Sequence, residues 1–238
     1  MSGAWLVLPT YNEAENIEGI VRAALPQLAS TGLTHRVLVV DDGSPDGTGD
    51  IADRLAAEIE AVEVLHRTRK EGIGPAYLAG FSHALGAGAE LLLEMDSDFS
   101  HDPLDLPRLV SAAAEADLVL GSRYVEGGGV TDWGLTRRLI SRGGSLYARL
   151  VLGVPVQDLT GGFKCFRREV LEALDLSSVG TDGYGFQIEM TYRAIRAGFR
   201  VQEVPIVFRD RRVGASKMSA RIAVEAFWKV PGLRFRVR

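Results

Sequence analysis

Three short polar clusters each follow an apolar run, and each holds residue types that could do chemistry. Asp96-Ser97-Asp98 follows Leu91–Met95. Two carboxylates one residue apart oppose each other on an extended strand, but a turn at the strand end brings both to one ligand. Hard oxygen donors of this kind suit Mg²⁺ or Mn²⁺, which can then bridge a diphosphate. The run Asp41-Asp42-Gly43-Ser44-Pro45-Asp46-Gly47 follows Arg36–Val40. Its residues make a good turn for purely local reasons, and a carboxylate there can equally accept from a base or a ribose. Pro9-Thr10-Tyr11-Asn12-Glu13 follows Ala4–Leu8. Tyr11 can lie against a nucleobase and Glu13 can accept from a ribose hydroxyl. The bland alternative is a helix N-terminus with Asn12 as cap and Glu13 and Glu15 in the first turn. Each cluster alone could be nothing more than a polar strand-to-loop junction.

The elements that must position these clusters alternate. Strands are expected at Ala4–Leu8, Arg36–Val40, Val62–Leu65, Leu91–Met95 and Leu118–Leu120. Helices are expected from Asn12 to about Leu28, over Thr48–Ile59, after Ile73 and over Leu104–Ala114. Near-continuous apolar strands mean a sheet covered on both faces. The pattern predicts an α/β fold with a Rossmann-like doubly wound mixed sheet in a single domain, whose ligands bind at the carboxyl ends of the strands. All three clusters stand at such ends, so the fold brings them to one edge. No G-x-G-x-x-G follows the first strand and the chain has no Walker A pattern, which disfavours a dinucleotide-binding dehydrogenase.

The second half is less regular. A basic segment, Thr136 to Leu152, reads as helical, Phe163–Phe166 as a strand, and Glu169–Leu174 and Phe186–Ala197 as helices. Val201–Phe208 reads as an edge strand because it holds Pro205. Ser216–Val230 reads as an amphipathic helix in a basic tail.

The net charge of −4 conceals an asymmetry. Residues 1–119 carry 20 acids against 7 Lys or Arg, a net −13, and residues 120–238 carry 11 against 20, a net +9. An acidic half suits cation binding and a basic half suits phosphate or an anionic membrane. Nucleic acid is disfavoured, since the basic half shows no interleaved aromatic platform. The single Cys165 excludes an intramolecular disulfide and reads as a buried inert thiol. The N-terminus shows no signal segment. The uncharged run from Gly72 to Ala89 holds Pro75, Ser82 and His83 and reads as a buried helix rather than a membrane span.

The three clusters in this order resemble those of inverting nucleotide-sugar transferases with the GT-A fold. Four later segments narrow the resemblance: Gly121-Ser122-Arg123-Tyr124, Arg137-Arg138-Leu139-Ile140-Ser141-Arg142-Gly143, Asp158-Leu159-Thr160-Gly161-Gly162-Phe163, and Asp210-Arg211 through Ser216-Lys217. With them the chain is similar to the dolichol-phosphate mannose synthase, or polyprenol-phosphate mannosyltransferase, family from about Trp5 to Lys217.

The resemblance implies a catalytic domain over 1–215, with a nucleotide-sugar part to about 121 and an acceptor part from 122, and a basic segment over 216–238. It implies that Pro9, Tyr11, Glu13, Val40 and Asp42 hold the nucleoside. Asp96, Ser97 and Asp98 would face the donor diphosphate, and Asp98 and Ser100 would ligate Mg²⁺ or Mn²⁺. Arg123, Arg211 and Lys217 would contact donor phosphates or the reaction centre, and Arg123, Arg137 and Ser141 the acceptor phosphate. Asp96 and Asp98 would join Arg123, Arg211 and Lys217 in catalysis. The middle residue of the acidic pair, often Ala in the family, is Ser97 here. The implied reaction moves mannose from GDP-mannose to a polyprenyl phosphate with inversion, in glycolipid biosynthesis and protein glycosylation. The place implied is the cytoplasmic face of a membrane. Many relatives continue into membrane spans and this chain stops at Arg238, so recruitment falls to the tail or to an integral-membrane partner subunit.

A phosphate monoester is already anionic at neutral pH and needs no strong general base. That fits the absence of a compelling candidate base: His101, beside the acidic pair, reads as structural. Two alternatives stand beside this reading. One is a polyprenyl-phosphate glucosyltransferase using UDP-glucose, and the other is a non-catalytic lipid- or nucleotide-binding subunit.

Overall fold

The computed structural model describes residues 3–181, 183–210 and 229–237. Arg211, Lys217 and most of the expected tail helix lie outside the described residues. The elements run β1 (Gly3–Thr10), α1 (Ile17–Ala29), β2 (Thr34–Asp41), α2 (Thr48–Glu58), β3 (Val62–His66), α3 (Ile73–Gly86), β4 (Ala89–Glu94), α4 (Leu106–Ala112), β5 (Leu118–Ser122) and β6 (Gly129–Val130). They continue with α5 (Leu135–Leu152), β7 (Lys164–Arg167), α6 (Arg168–Ala173), α7 (Tyr184–Arg196), β8 (Val201–Pro205) and β9 (Val207–Phe208). Residues 229–236 are also helical.

Seven strands form one sheet in the order β3-β2-β1-β4-β7-β5-β8. Pairing is parallel except at β7, which runs antiparallel to both β4 and β5. This is the mixed, doubly wound sheet expected. Its strands are apolar on both faces, and two cores result. One lies between the sheet and α1, α2 and α4. The other lies against α3, α5, α6, α7 and residues 230–237. β7 divides its side chains between them, Cys165 to the first and Phe166 to the second. Burial pushes the Cys165 thiol up to about 12, so it is the inert thiol expected. Helix α3 sits unusually close: a Cβ on Gly80 would lie 2.4 Å from Val7 Cγ1. Only glycine allows that approach.

Several elements differ from expectation. Asn12 does not cap α1, which starts at Ile17 after Asn16, so Glu18 rather than Glu13 or Glu15 occupies its first turn. Asn12 instead adopts φ +55° in the preceding loop. The helix expected over Leu104–Ala114 is a 3₁₀ turn, Pro103–Asp105, followed by the shorter α4. The expected strand over Val201–Phe208 is two strands, because after Pro205 the chain leaves β5 and pairs through β9 with β6. In the tail, Val230 and Leu233 are buried in the core, while Phe235 is exposed. The uncharged run forms α3, largely buried as expected. Among the described residues no helix is long and apolar enough to cross a membrane.

Candidate active site

The carboxyl ends of β1, β2 and β4 open on one cavity of about 250 Å³. Pro9, Tyr11, Glu13, Asp42, Asp96, Ser97, Asp98, Ser100, Arg123 and Arg137 all line it. Val40 does not: its side chain is fully buried in the core beneath α3, and only its carbonyl, accepting from Thr10 Oγ1, reaches toward the loop.

One end of the cavity is built from two loops stitched together. The main-chain N–H groups of Asn12, Glu13 and Ala14 donate to Ser44 Oγ (3.0 Å), Thr48 Oγ1 (2.9 Å) and Asp46 Oδ2 (3.0 Å). Asp41 accepts from the Ser44 hydroxyl (2.5 Å) and amide (3.2 Å), so it serves the turn. Asp42 is the carboxylate that faces the cavity. Burial pushes it up, opposed by Arg67, whose Nη1 donates to Asp42 Oδ1 at 2.5 Å. Lys70 stands 4.2 Å from the centre of the Tyr11 ring. Sequence reasoning missed Arg67 and Lys70; the run Arg67–Glu71 between β3 and α3 held the signal, since β3 is the neighbour of β2.

The middle of the cavity is the loop after β4. Asp98 Oδ1 accepts from the Ser100 amide at 3.0 Å. Between them Phe99 adopts φ +62°, a costly conformation for a bulky residue. Its ring is held against Gly19 of α1, where a Cβ would approach Phe99 Cζ to 3.2 Å. This bend turns Asp98 and Ser100 to the same side. Ser100 Oγ is buried and has no hydrogen-bond partner among the described residues. Two carboxylates and an orphaned hydroxyl fit a hard divalent cation. Among the described residues no three His, Cys, Asp or Glu side chains could hold a metal by themselves; ligand oxygens would complete the shell. His101 is buried between the Phe163 and Phe208 rings. Burial holds it well below the usual histidine range, and its Nδ1 accepts from the Asp96 amide at 3.4 Å.

The far end is built from long-range pairs. The Arg123 guanidinium donates from Nε and Nη2 to Asp158, both at 2.7 Å, and from Nη2 to Thr160 Oγ1 at 2.8 Å. Both ions are buried. Burial works to raise the Asp158 carboxyl, but Arg123 overrides it and holds it below the usual range. Tyr124, Trp133 and Phe208 surround the guanidinium with ring centres 5.2 to 5.9 Å from Cζ. Arg137 lies 4.2 Å over the Trp133 ring and donates to Asp210 at 2.9 Å. Ser141 lines a second, largely apolar cavity of about 330 Å³, bounded by Ile140, Tyr147, Ile188 and Val230. Its hydroxyl accepts from Tyr124 Oη at 2.7 Å. Trp133, Arg137, Thr160 and Tyr184 line both cavities, so one continues into the other.

Beneath the cavity floor lies a second ion pair. Glu94 and Lys164 are fully buried opposite each other on β4 and β7, with Lys164 Nζ 3.2 Å from Glu94 Oε1. Burial pushes the Glu94 carboxyl up and the Lys164 ammonium down, each opposed by the other's charge. Lys164 also donates to the main-chain oxygen of Gln187 at 3.1 Å and to its side-chain oxygen.

The description "Glycosyl transferase family 2" belongs to the family model that matches residues 5–175. An undecaprenyl-phosphate mannosyltransferase from Micrococcus luteus is 50% identical over 223 residues, 92% of this chain and 89% of the relative. A polyprenol monophosphomannose synthase from Mycolicibacterium smegmatis is 51% identical over 239 aligned positions, 98% of this chain and 88% of the relative. Among solved structures, glucosyl-3-phosphoglycerate synthase from Mycobacterium tuberculosis, in complex with Mn²⁺, uridine diphosphate and glucosyl-3-phosphoglycerate, superposes with a TM-score of 0.72. It is 23% identical, and the match covers 97% of this chain and 80% of that one. The shared architecture is a GT-A-like fold.

Proposed function

The chain belongs to glycosyl transferase family 2 and is a glycosyltransferase, and on that premise we propose that it is a polyprenol monophosphate mannosyltransferase. In this reading mannose passes from GDP-mannose to a polyprenyl phosphate with inversion. The observation that carries it is a two-part cavity beside an acidic loop. A polar chamber lined by Asp96 and Asp98 continues, past Arg137 and Trp133, into an apolar one. A nucleoside diphosphate sugar suits the first and a phosphate with an isoprenoid tail suits the passage between them. The 50% and 51% identical relatives supply the substrate class by their names.

The nucleoside would lie between Tyr11 and Asp42, with Pro9 and Glu13 shaping the bed and Val40 supporting it only from the core beneath. Asp96, Ser97 and Asp98 would face the diphosphate. Asp98 and Ser100 would hold Mg²⁺ or Mn²⁺, which when bound supplies positive charge for the departing nucleoside diphosphate. Arg137, propped on Trp133, would orient the acceptor phosphate with Ser141 and Arg123, so that its oxygen attacks the anomeric carbon opposite the leaving diphosphate. Orientation and charge placement carry the catalysis, since the nucleophile arrives ionised. Arg211 and Lys217 are proposed to join from outside the described residues. The substrate-handling part would span 1–215 and the basic segment 216–238.

A membrane surface is proposed as the place where the lipid is met, on the cytoplasmic face. Leu135, Leu139, Leu146 and Leu150 of α5 are 51 to 78% exposed. Their spacing of four, seven and four puts them on one face of the helix. Arg138, Arg142 and Arg149 are exposed beside them. Apolar side chains flanked by cations suit the headgroup boundary. An integral-membrane partner remains compatible with this arrangement.

The direct test is incubation with radiolabelled GDP-mannose, polyprenyl phosphate and Mg²⁺, followed by organic extraction. Label in the organic phase is expected. Transfer from UDP-glucose instead would replace the donor, and no metal-stimulated turnover with either would leave a binding subunit.

A further inference from the structure

The floor of the cavity contains a carboxamide whose orientation is set from below. Gln187, on α7, is nearly buried and lines the cavity. Its side-chain oxygen is taken by the Lys164 ammonium. Its nitrogen carries two N–H groups: one is directed at the Glu94 carboxylate beneath, the other is left for the cavity, and two neighbours locate it. A Cβ added to Gly162 would lie 3.2 Å from Gln187 Nε2 and 3.8 Å from Asp96 Oδ1. The amide nitrogen and the Asp96 carboxylate thus approach the same point of the wall, and glycine at 162 leaves that point open.

Lys164 and Glu94 are both 0% exposed. An ion pair so placed is a poor source of stability compared with an apolar pair of similar volume. The Glu94 carboxylate faces both the Lys164 ammonium and the Gln187 amide. What the pair does accomplish is to present an ammonium to the Gln187 oxygen and a carboxylate to its nitrogen, which together set the orientation of the amide.

We propose that Gln187 is a sugar-contacting residue, donating its side-chain N–H to a hydroxyl of the transferred hexose beside Asp96, with Lys164 and Glu94 as positioning residues. The assignment rests on the glycosyl-transfer reading above. It places the hexose between the diphosphate side, at Asp96 and Asp98, and the acceptor side, at Thr160 and Tyr184.

The test compares wild type with Gln187→Ala and Gln187→Glu. GDP binding should be unchanged in Gln187→Ala, while the extra affinity of GDP-mannose over GDP shrinks in both variants. Turnover should fall about 5- to 100-fold, the effect of one hydrogen bond left unmade in a closed site. A series of monodeoxy-mannose donors then identifies the hydroxyl. One of them should lose that same factor with wild type and lose little further with Gln187→Ala. If every deoxy donor loses equal factors in both proteins, or if Gln187→Ala keeps wild-type turnover, the assignment is overturned. Glu94→Gln combined with Lys164→Met, a neutral pair of similar shape, tests the positioning. It should reproduce the deoxy-donor signature in part, and an unchanged signature in the folded double variant refutes the positioning role. Should the double variant not fold, the Gln187 variants still decide the sugar contact. If wild type transfers a different hexose, the mannose reading falls and the deoxy series of that hexose tests Gln187 unchanged.

Discussion

The two ends of the cavity are held by different kinds of interaction. The end at Tyr11 and Asp42 rests on main-chain amides bonded to small polar side chains, in loops fixed by Asp41, Ser44, Asp46 and Thr48. The end at Arg123 and Arg137 rests on guanidinium groups clamped by Asp158 and Asp210 and walled by Tyr124, Trp133 and Phe208. The first is a rigid bed with dispersed partial charges, suited to a ligand recognised by its hydrogen-bonding edges. The second concentrates charge, suited to an anion that must be brought in and aimed. Losses at the first end are shared among many weak bonds, whereas losses at the second fall on single residues.

The comparison can be broken or sharpened by experiment, beginning with the loop between the ends. Asp98→Ala is expected to lower turnover about 1,000-fold with the melting temperature nearly unchanged, because the loss is one of charge placement at the strand end. Turnover within tenfold of wild type at saturating Mg²⁺ would refute that role. Chelation by EDTA should mimic the variant and added Mn²⁺ or Mg²⁺ should reverse it.

Asp158→Ala tests whether the far end depends on single residues. It leaves the Arg123 charge buried and unpaired, which costs about 3–5 kcal/mol, or roughly a 10 °C drop in melting temperature. Because the folded-state pKa of Asp158 is depressed, its contribution is present above the unfolded value, about 3.9. It is lost as pH falls through the lower folded value, so the variant should show a flatter stability profile in that acid range. At the stitched end, Ser44→Ala should shift the midpoint by only about 1 kcal/mol, and an equal loss at both positions would dissolve the contrast.

Arg137→Ala comes next. Its pair with Asp210 is half exposed and contributes little to stability. The apparent KM for polyprenyl phosphate should rise about tenfold with the KM for donor unmoved; equal changes in both would remove the acceptor role. The smallest effect is expected on the outer surface. Leu139→Gln with Leu146→Gln should weaken flotation with anionic liposomes about tenfold at low salt, without changing turnover on a detergent-dispersed acceptor.

The first half was largely readable because its information is local. Apolar runs with polar ends give strands and loops in register with the chain, and the three clusters did come to one edge. Asn12 was misread because a cap and a loop amide use the same residue types, and only its bond to Ser44, 32 positions away, distinguishes them. Asp158 entered only as part of the segment Asp158–Phe163, without its role beneath Arg123, and Gln187 was not legible as a site residue, since each depends on which strand or helix lies beside another. Helix α5 carries the clearest lesson. Leucines at helical spacing read the same whether the face they share turns to the core or away from it, and here only Ser145, Ala148 and Leu152 are buried.

Strand β7 has a further consequence, in the order of assembly. It is the antiparallel strand between β4 and β5, and among the described residues β5 pairs otherwise only with β8. As the chain leaves the ribosome, the first four strands can assemble, but β5 has no partner until Lys164–Arg167 has been made. For that interval the β4 edge, Leu91–Leu93, stays bare, an apolar edge of the kind that invites mispairing. A fragment ending after β5 would carry almost every residue proposed to face the nucleotide and still leave that edge open. Slower synthesis between residues 122 and 167 lengthens that wait and is therefore expected to lower yield.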